Sequence, residues 1–298
     1  MPAGSLLVAT LVSSQEAACL MPALVAEAAG TIAAEAAVIL QEDVAADLFF
    51  EGDAATAEAR LRGLIDTAPI DVVVQPAASR RKRLLLADMD STMIGQECID
   101  ELAAEVGLKD HIAAITERAM RGEIDFEPAL RERVGLLRGL DLSVVDRVIA
   151  DRITLTPGGP DLVRTMRANG GYAALVSGGF TVFTGPLAAR IGFNENRANL
   201  LIAEGGKLTG DVDEPILGQQ AKLDSLVELR SSLGLHALET MAVGDGANDL
   251  AMIGEAGLGV AYHAKPKVAA SAAARIDHAD LTALLFIQGY AANDFVSG

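Results

Sequence analysis

The sequence predicts an α/β protein: a doubly wound parallel-sheet core with an inserted helical cap, preceded by a small βαββαβ unit of ferredoxin-like order. Three observations carry that expectation. Short apolar runs end in acid- or glycine-rich loops and alternate with helical segments: LLLA before Asp88, YAALV before Ser177, TMAV before Gly244. The charged stretch 95–151 reads as helices without a strand pattern, so it interrupts that alternation. Residues 5–76 are alanine-rich and read strand, helix, strand, strand, helix, strand. The expected division is 1–78 and 79–298, the latter split into a core (79–94 and 156–298) and a cap (95–155).

Within the first unit, 5–13 is a strand and Ser14 caps a helix over 15–29 that stops at Gly30, although Pro22 inside it removes a backbone donor. Two strands within 31–50 turn at Gln41-Glu42-Asp43; Asp53 then opens a helix over 54–67, and 69–74 is a last strand. The run Arg80-Arg81-Lys82-Arg83 can be a nucleic-acid or localisation patch, but beside a net charge of -17 it reads as a solvated edge before the next strand. Residues 84–87 form that strand. Cap helices are expected near 98–106, 111–121, 127–138 and 143–149. Alternation resumes at Thr156 with a helix from Pro157 to Arg167, a strand 172–176 followed by Ser177-Gly178-Gly179, and a helix 185–191. A hairpin over 200–213, a helix 219–233, a strand 240–243 and a helix 250–256 follow. Short strands at 257–261 and near Ile276 and a helix 281–288 close the chain.

A net charge of -17 argues against nucleic acid or an anionic membrane surface as partner, because the long-range field repels both. It permits a small phosphorylated substrate, since a metal and a few cations reverse the field locally. Cys19 and Cys98 are far apart and belong to no CxxC motif, and the N-terminus lacks a basic leader, so a cytoplasmic protein without a signal peptide is expected. The uncharged run between Arg167 and Arg190 is broken by Gly178, Gly179, Gly185 and Pro186 and reads as strand, turn and helix rather than a membrane span.

Asp88 and Asp90 sit two residues apart at a strand end, where ligands bind in open α/β sheets. Two carboxylates held that close repel each other, and a hard cation such as Mg²⁺ suits them; an acidic turn or helix cap is the plainer alternative. Four segments place polar groups at that one edge: Asp88 and Asp90, Ser177-Gly178-Gly179, Lys222, and Asp245 with Asn248 and Asp249. Each alone is ordinary. Together they meet the needs of phosphoryl transfer, a nucleophile facing a dianion whose charge must be neutralised by fixed donors and a metal.

These four segments, DMDST at 88–92, VSGGF at 176–180, the isolated Lys222 and GDGAND at 244–249, resemble the motifs of the haloacid dehalogenase-like phosphatases, and of their phosphoserine phosphatase branch in particular. The resemblance covers roughly 84–290. It implies that Asp88 is the nucleophile and Asp90 the general acid and then base. It implies Mg²⁺ held by Asp88, the Asp90 carbonyl and Asp245, with Asp249 supporting the metal from behind. Ser177, Gly178, Gly179 and Lys222 would bind the phosphoryl oxygens, and Asn248 would hold or orient that group. Glu97 matches an acid for the substrate ammonium, Arg133 a guanidinium for its carboxylate, and Met120 and Phe126 apolar lid residues; as isolated residues, Glu97 and Arg133 read as helix-surface charge.

The implied activity is Mg²⁺-dependent hydrolysis of L-phosphoserine to L-serine and phosphate, the last step of serine biosynthesis. The alternative keeps the chemistry and changes the substrate to phosphothreonine, phosphohomoserine or another small ester, or transfers phosphate to an acceptor. The first unit resembles ACT-type amino-acid-sensing domains in topology only, which leaves L-serine regulation and a docking or homodimerisation role both open. His111, His236, His263 and His278 are too dispersed for a metal site, and both cysteines read as packing.

Overall fold

The computed structural model describes residues 6–120 and 123–297, the side chains of Ala119 and Met120 excepted. Its first unit runs β1 (Leu7–Ser13), α1 (Pro22–Thr31), β2 (Ala36–Gln41), β3 (Ala45–Phe50), α2 (Ala54–Ile65) and β4 (Ile70–Pro76). The sheet order is β2-β3-β1-β4 with every pairing antiparallel, the ferredoxin-like arrangement. Asp53 caps α2 as expected, its Oδ1 accepting from the Thr56 amide at 2.8 Å. The first helix is shorter than expected. It starts at Pro22, where a missing N–H costs nothing and φ is preset, while Ser14 closes only a turn by accepting from the Ala17 amide.

The second unit begins with β5 (Leu84–Ala87), followed by cap helices α3 (Cys98–Glu105), α4 (Lys109–Met120), α5 (Phe126–Gly135) and α6 (Val144–Asp151). The chain returns through α7 (Gly159–Ala168), β6 (Tyr172–Phe180), α8 (Thr181–Ile191) and β7 (Glu195–Asn199). A hairpin of β8 (Leu201–Glu204) and β9 (Lys207–Val212) precedes α9 (Gln219–Ser232), β10 (Thr240–Gly244) and α10 (Leu250–Glu255). Last come β11 (Leu258–Tyr262), α11 (Pro266–Ala269), β12 (Ala274–Ile276) and α12 (Ala283–Phe286), the last shorter than the helix expected there.

Six parallel strands stand in the order β12-β11-β10-β5-β6-β7. From β5 the chain builds outward through β6 and β7 on one side and β10 to β12 on the other, so the end of β5 lies at the topological switch point. Two differences from expectation concern this side of the sheet. β6 does not stop at Val176 but carries Ser177-Gly178-Gly179 within it, with a register slip against β7 between Val176 and Phe180. β7, sequence ENRAN, has no apolar pattern because it is an edge strand.

The cap leaves and rejoins the core through paired backbone. Ile94 bridges Leu155, the Gly95 amide donates to the Thr154 carbonyl and the Thr156 amide to the Met93 carbonyl, each at 3.0 Å. The β8–β9 hairpin extends the cap: the Gly139 amide donates to Leu208 O and the Leu208 amide to Leu140 O.

The basic run 80–83 is a solvated edge only in part: Arg81 and Arg83 are exposed, while Arg80 is half-buried and Lys82 buried. Arg80 pairs with the fully buried Asp47 and lies over the Phe49 ring; Arg81 stacks 3.5 Å from the Tyr290 ring centroid. Lys82 is buried and donates to Ser79 O and Leu238 O, and Arg83 pairs with Glu239. Arg80 thus clasps the first unit, through Asp47 and Phe49, while Arg81, Lys82 and Arg83 fasten the start of the core to Tyr290, Leu238 and Glu239. Beneath them one apolar cluster joins Val12, Val44 and Val73 of the first unit to Leu284, Leu285 and Ile287.

Candidate active site

Asp88 follows β5 directly, its amide held by Val243 O of β10, which fixes its carboxylate at the carboxyl edge of the sheet. The next turn needs a left-handed residue, supplied by Ser91 at φ 56°, and returns the chain to bring Asp90 beneath the start of α3. There the Cys98 amide donates to Asp90 Oδ1 at 3.1 Å, so a helix N-terminus faces the carboxylate. Asp90 also lies close to β6: a Cβ on Gly179 would stand 3.1 Å from Asp90 Oδ2 and 3.0 Å from Ser177 Oγ. A side chain there would have to displace the acid or the hydroxyl by a few tenths of an ångström. Ser177 Oγ accepts from the Gly179 amide, folding the hydroxyl back onto its own strand.

Lys222, on the first turn of α9, is fully buried. Its Nζ donates to Asp88 Oδ1 at 2.6 Å and to Asp249 Oδ1 at 2.7 Å, while Asp249 Oδ2 accepts from the Gly246 amide. Gly244 is required as well, because any Cβ there would collide with the Asp249 carboxyl. Asp245 faces Thr92, whose hydroxyl lies 3.5 Å from its Oδ1. Asn248, half-buried, occupies the same loop.

Carboxylate outnumbers cation here. Burial, then the charge of Asp249, pushes Asp88 well above the usual carboxylate range against the opposing pull of Lys222. Burial and the charge of Glu97 raise Asp90 to about 7; burial and Asp249 raise Asp245 to about 6. Burial alone would lower Lys222, but Asp249 and Asp88 more than reverse it and keep the ammonium charged. Asp88, Asp245 and Asp249 offer carboxylate oxygens within 4.8 Å of one another. That all-oxygen, net-negative donor set fits a hard divalent cation. Both Asp249 oxygens accept hydrogen bonds, from Lys222 and from the Gly246 amide, which fixes its carboxylate behind Asp88 and Asp245.

The cap supplies the roof. Phe126, at the start of α5, lies over the backbone of two core glycines: a Cβ on Gly178 or on Gly218 would meet its ring at 3.3 Å. Glu97 is held by Ser91, whose Oγ donates to Glu97 Oε1 at 2.8 Å. Arg133 donates through Nε to Ala129 O and through Nη1 to Thr116 Oγ1, and its guanidinium feels the charges of Asp100, Glu97 and Asp90. The side chain of Met120 lies outside the described residues.

The haloacid dehalogenase-like hydrolase family profile matches residues 85–254. The chain belongs to this family. A probable phosphoserine phosphatase of Schizosaccharomyces pombe is 46% identical over 213 residues, 71% of this chain and 71% of that protein. The phosphoserine phosphatase of Archaeoglobus fulgidus is 45% identical over 215 residues; the match spans 72% of this chain and 62% of that protein. Among solved structures, a HAD family hydrolase from Salmonella enterica serovar Typhi superposes with a TM-score of 0.85 at 29% identity, covering 96% of this chain and 99% of that one. The likeness therefore extends over the first unit, not only the hydrolase core.

As a haloacid dehalogenase-like hydrolase, the chain brings Asp88, Asp90, Ser177, Gly178, Gly179, Lys222, Asp245 and Asp249 to one sheet edge, with Glu97, Phe126 and Arg133 on the cap side. Three positioning contacts escaped the sequence reading. Ser91 and Thr92 were read only as part of a motif, yet they hold Glu97 and face Asp245. Asn199, at the end of β7, donates to Gly178 O and Leu217 O and accepts from the Leu217 amide, stapling β6 to the loop before α9. A lone Asn in a polar strand carries no signal for that.

Proposed function

We propose that this hydrolase cleaves L-phosphoserine to L-serine and phosphate through an aspartyl-phosphate on Asp88. The observation that carries the proposal is the placement of Asp88 and Asp90 at the end of β5 beneath a cap that carries Glu97 and Arg133. The names of the two relatives support the substrate.

An Asp88 carboxylate oxygen attacks phosphorus and the bond to the serine Oγ breaks, with Asp90 giving its proton to the departing oxygen. Asp90, now ionised, takes a proton from water; the water oxygen attacks phosphorus, and phosphate leaves with the Asp88 carboxylate restored. Lys222 and the Ser177 to Gly179 segment receive the phosphoryl oxygens, with Asn248 beside them. Glu97 takes the substrate ammonium and Arg133 its carboxylate, and Phe126 excludes water. Mg²⁺, held by Asp88, the Asp90 carbonyl and Asp245, would screen the nucleophile from the phosphate it approaches.

The division into 1–78, a core of 79–94 and 156–298 and a cap of 95–155 belongs to the same reading, supported by the pairing of Ile94 with Leu155. So do a cytoplasmic setting, in keeping with two free cysteines, and a regulatory or dimerising role for the first unit. No helix among the described residues is long and apolar enough to cross a membrane.

The test is phosphate release from L-phosphoserine, phosphothreonine and an aryl phosphate by wild type and Asp88→Asn, with Mg²⁺ and with excess EDTA. EDTA-sensitive release that is fastest from phosphoserine and absent in Asp88→Asn is the expected result. Release from the aryl phosphate alone defeats the substrate assignment.

A further inference from the structure

Asp71 of β4 is almost fully buried where the first unit meets the hydrolase core. Its Oδ1 accepts from the Asp277 amide at 2.8 Å, and its Oδ2 accepts from His278 at 3.2 Å and Ala279 at 2.9 Å. Three successive backbone donors thus close on one carboxylate. Ala279 is gripped from its other side too: His263 Nε2 lies 3.0 Å from its carbonyl oxygen. His263 holds a left-handed φ of 42°, a conformation a non-glycine residue keeps only where its surroundings enforce it. Its amide donates to Ile276 O and its ring meets Tyr262 edge-on. Two residues later, the Lys265 amide donates to the backbone carbonyl of Asp245 at 3.2 Å.

We propose that Asp71 is a positioning residue for the metal ligand Asp245, acting through Ala279, His263 and the Lys265 amide, so that the first unit helps set divalent-cation affinity. The proposal rests on the reading above that Asp245 holds the cation. Other contacts between the units lack this reach. Gln75 Nε2 donates to Ile287 O and Arg80 pairs with Asp47, contacts that anchor the units beside α12 and within the first sheet rather than beside β10. Asp71→Asn is not a passive change. The amide group would aim N–H at backbone N–H, so at least one of the three donors loses its acceptor.

The test measures Mn²⁺ binding to the full-length protein by electron paramagnetic resonance, which needs no substrate. Asp71→Asn is expected to raise the Mn²⁺ Kd by roughly 3- to 10-fold, up to the lower limit of what direct hydrogen-bond partners of metal ligands contribute, since Asp71 acts at one further remove. KM for phosphoserine at saturating metal should stay unchanged. Gln75→Ala, which loosens the same interface elsewhere, should leave the Kd as in wild type. An unchanged Kd in Asp71→Asn overturns the proposal, as does an equal rise in Gln75→Ala. Should Asp71→Asn not fold, His263→Gly breaks the same route and relieves the strained φ; an unchanged Kd there overturns the proposal equally. A wild type that binds Mn²⁺ but leaves phosphoserine intact defeats the substrate reading and not this one.

Discussion

Lys222 Nζ lies 2.6 Å from Asp88 Oδ1, and none of the lysine is exposed. Asp88 is therefore oriented by a cation that bridges it to Asp249. Removing that cation leaves two buried carboxylates against each other. Lys222→Met is expected to cost about 3 kcal/mol in EDTA and clearly less with saturating Mg²⁺, which supplies charge to the same carboxylates. Urea unfolding in both buffers checks the difference; equal losses would contradict the shared role.

Two glycines separate geometry of the site from integrity of the fold. Gly179→Ala places a methyl about a hydrogen-bond length from Asp90 and Ser177, whose side chains can shift. Its kcat should fall while its Tm stays within a few degrees of wild type. Gly244→Ala drives a methyl into the Asp249 carboxyl, which Lys222 and the Gly246 amide hold in place. That variant should lose stability as well as activity, read by thermal unfolding beside steady-state rates.

Burial and Glu97 hold Asp90 at about 7. In the proposed mechanism Asp90 must carry its proton to release serine, so kcat/KM for phosphoserine should fall as pH rises through that value, and it should fall again on the acid side as Asp88 and Asp245, both raised by burial, take up protons. Asp90→Asn should remove this alkaline limb and cost roughly 10²- to 10⁴-fold in kcat. An aryl phosphate, whose leaving group needs no proton, should lose far less. Equal losses for both substrates would refute the general-acid role.

Arg133 is anchored by Ala129 O and Thr116 Oγ1, and its guanidinium lies in the field of Asp100, Glu97 and Asp90. Arg133→Ala should raise KM for phosphoserine by about 10²-fold, the worth of a charge-assisted bidentate contact. Hydrolysis of an aryl phosphate, which has no carboxylate, should be unaffected.

Most of the chemistry was legible because phosphoryl transfer dictates residue types at short spacing: Asp88 with Asp90, and Asp245 with Asp249, each lie on one loop. What escaped depends on contacts distant in sequence or on weak patterning. Asn199 acts on backbone atoms 21 and 18 residues away, at Gly178 and Leu217. β7 hid because an edge strand can be polar. α1 begins seven residues later than composition implies because Pro22 marks a helix start as readily as it interrupts one. The basic clasp was invisible because Asp47, Leu238 and Tyr290, its partners, come from three separate parts of the chain.

That clasp carries its own prediction. Asp47 is fully buried and its remaining partner besides Arg80 is the Thr10 hydroxyl. Arg80→Ala should destabilise the protein by about 3 kcal/mol, as expected when one member of a buried ion pair is removed. Replacing Asp47 and Arg80 together by apolar residues should restore much of that loss, which denaturant titration of the single and double variants would show.

The two ends of the cap meet side by side at Ile94 and Leu155, so a largely helical segment of about sixty residues hangs from the core as one oversized loop would. Its sequence can drift, lengthen or be exchanged without altering the sheet register or the spacing of Asp88, Lys222 and Asp245. In the proposed reading, substrate preference lies in the roof and bond-breaking in the floor, so new specificities can arise in the one while the other stays as it is.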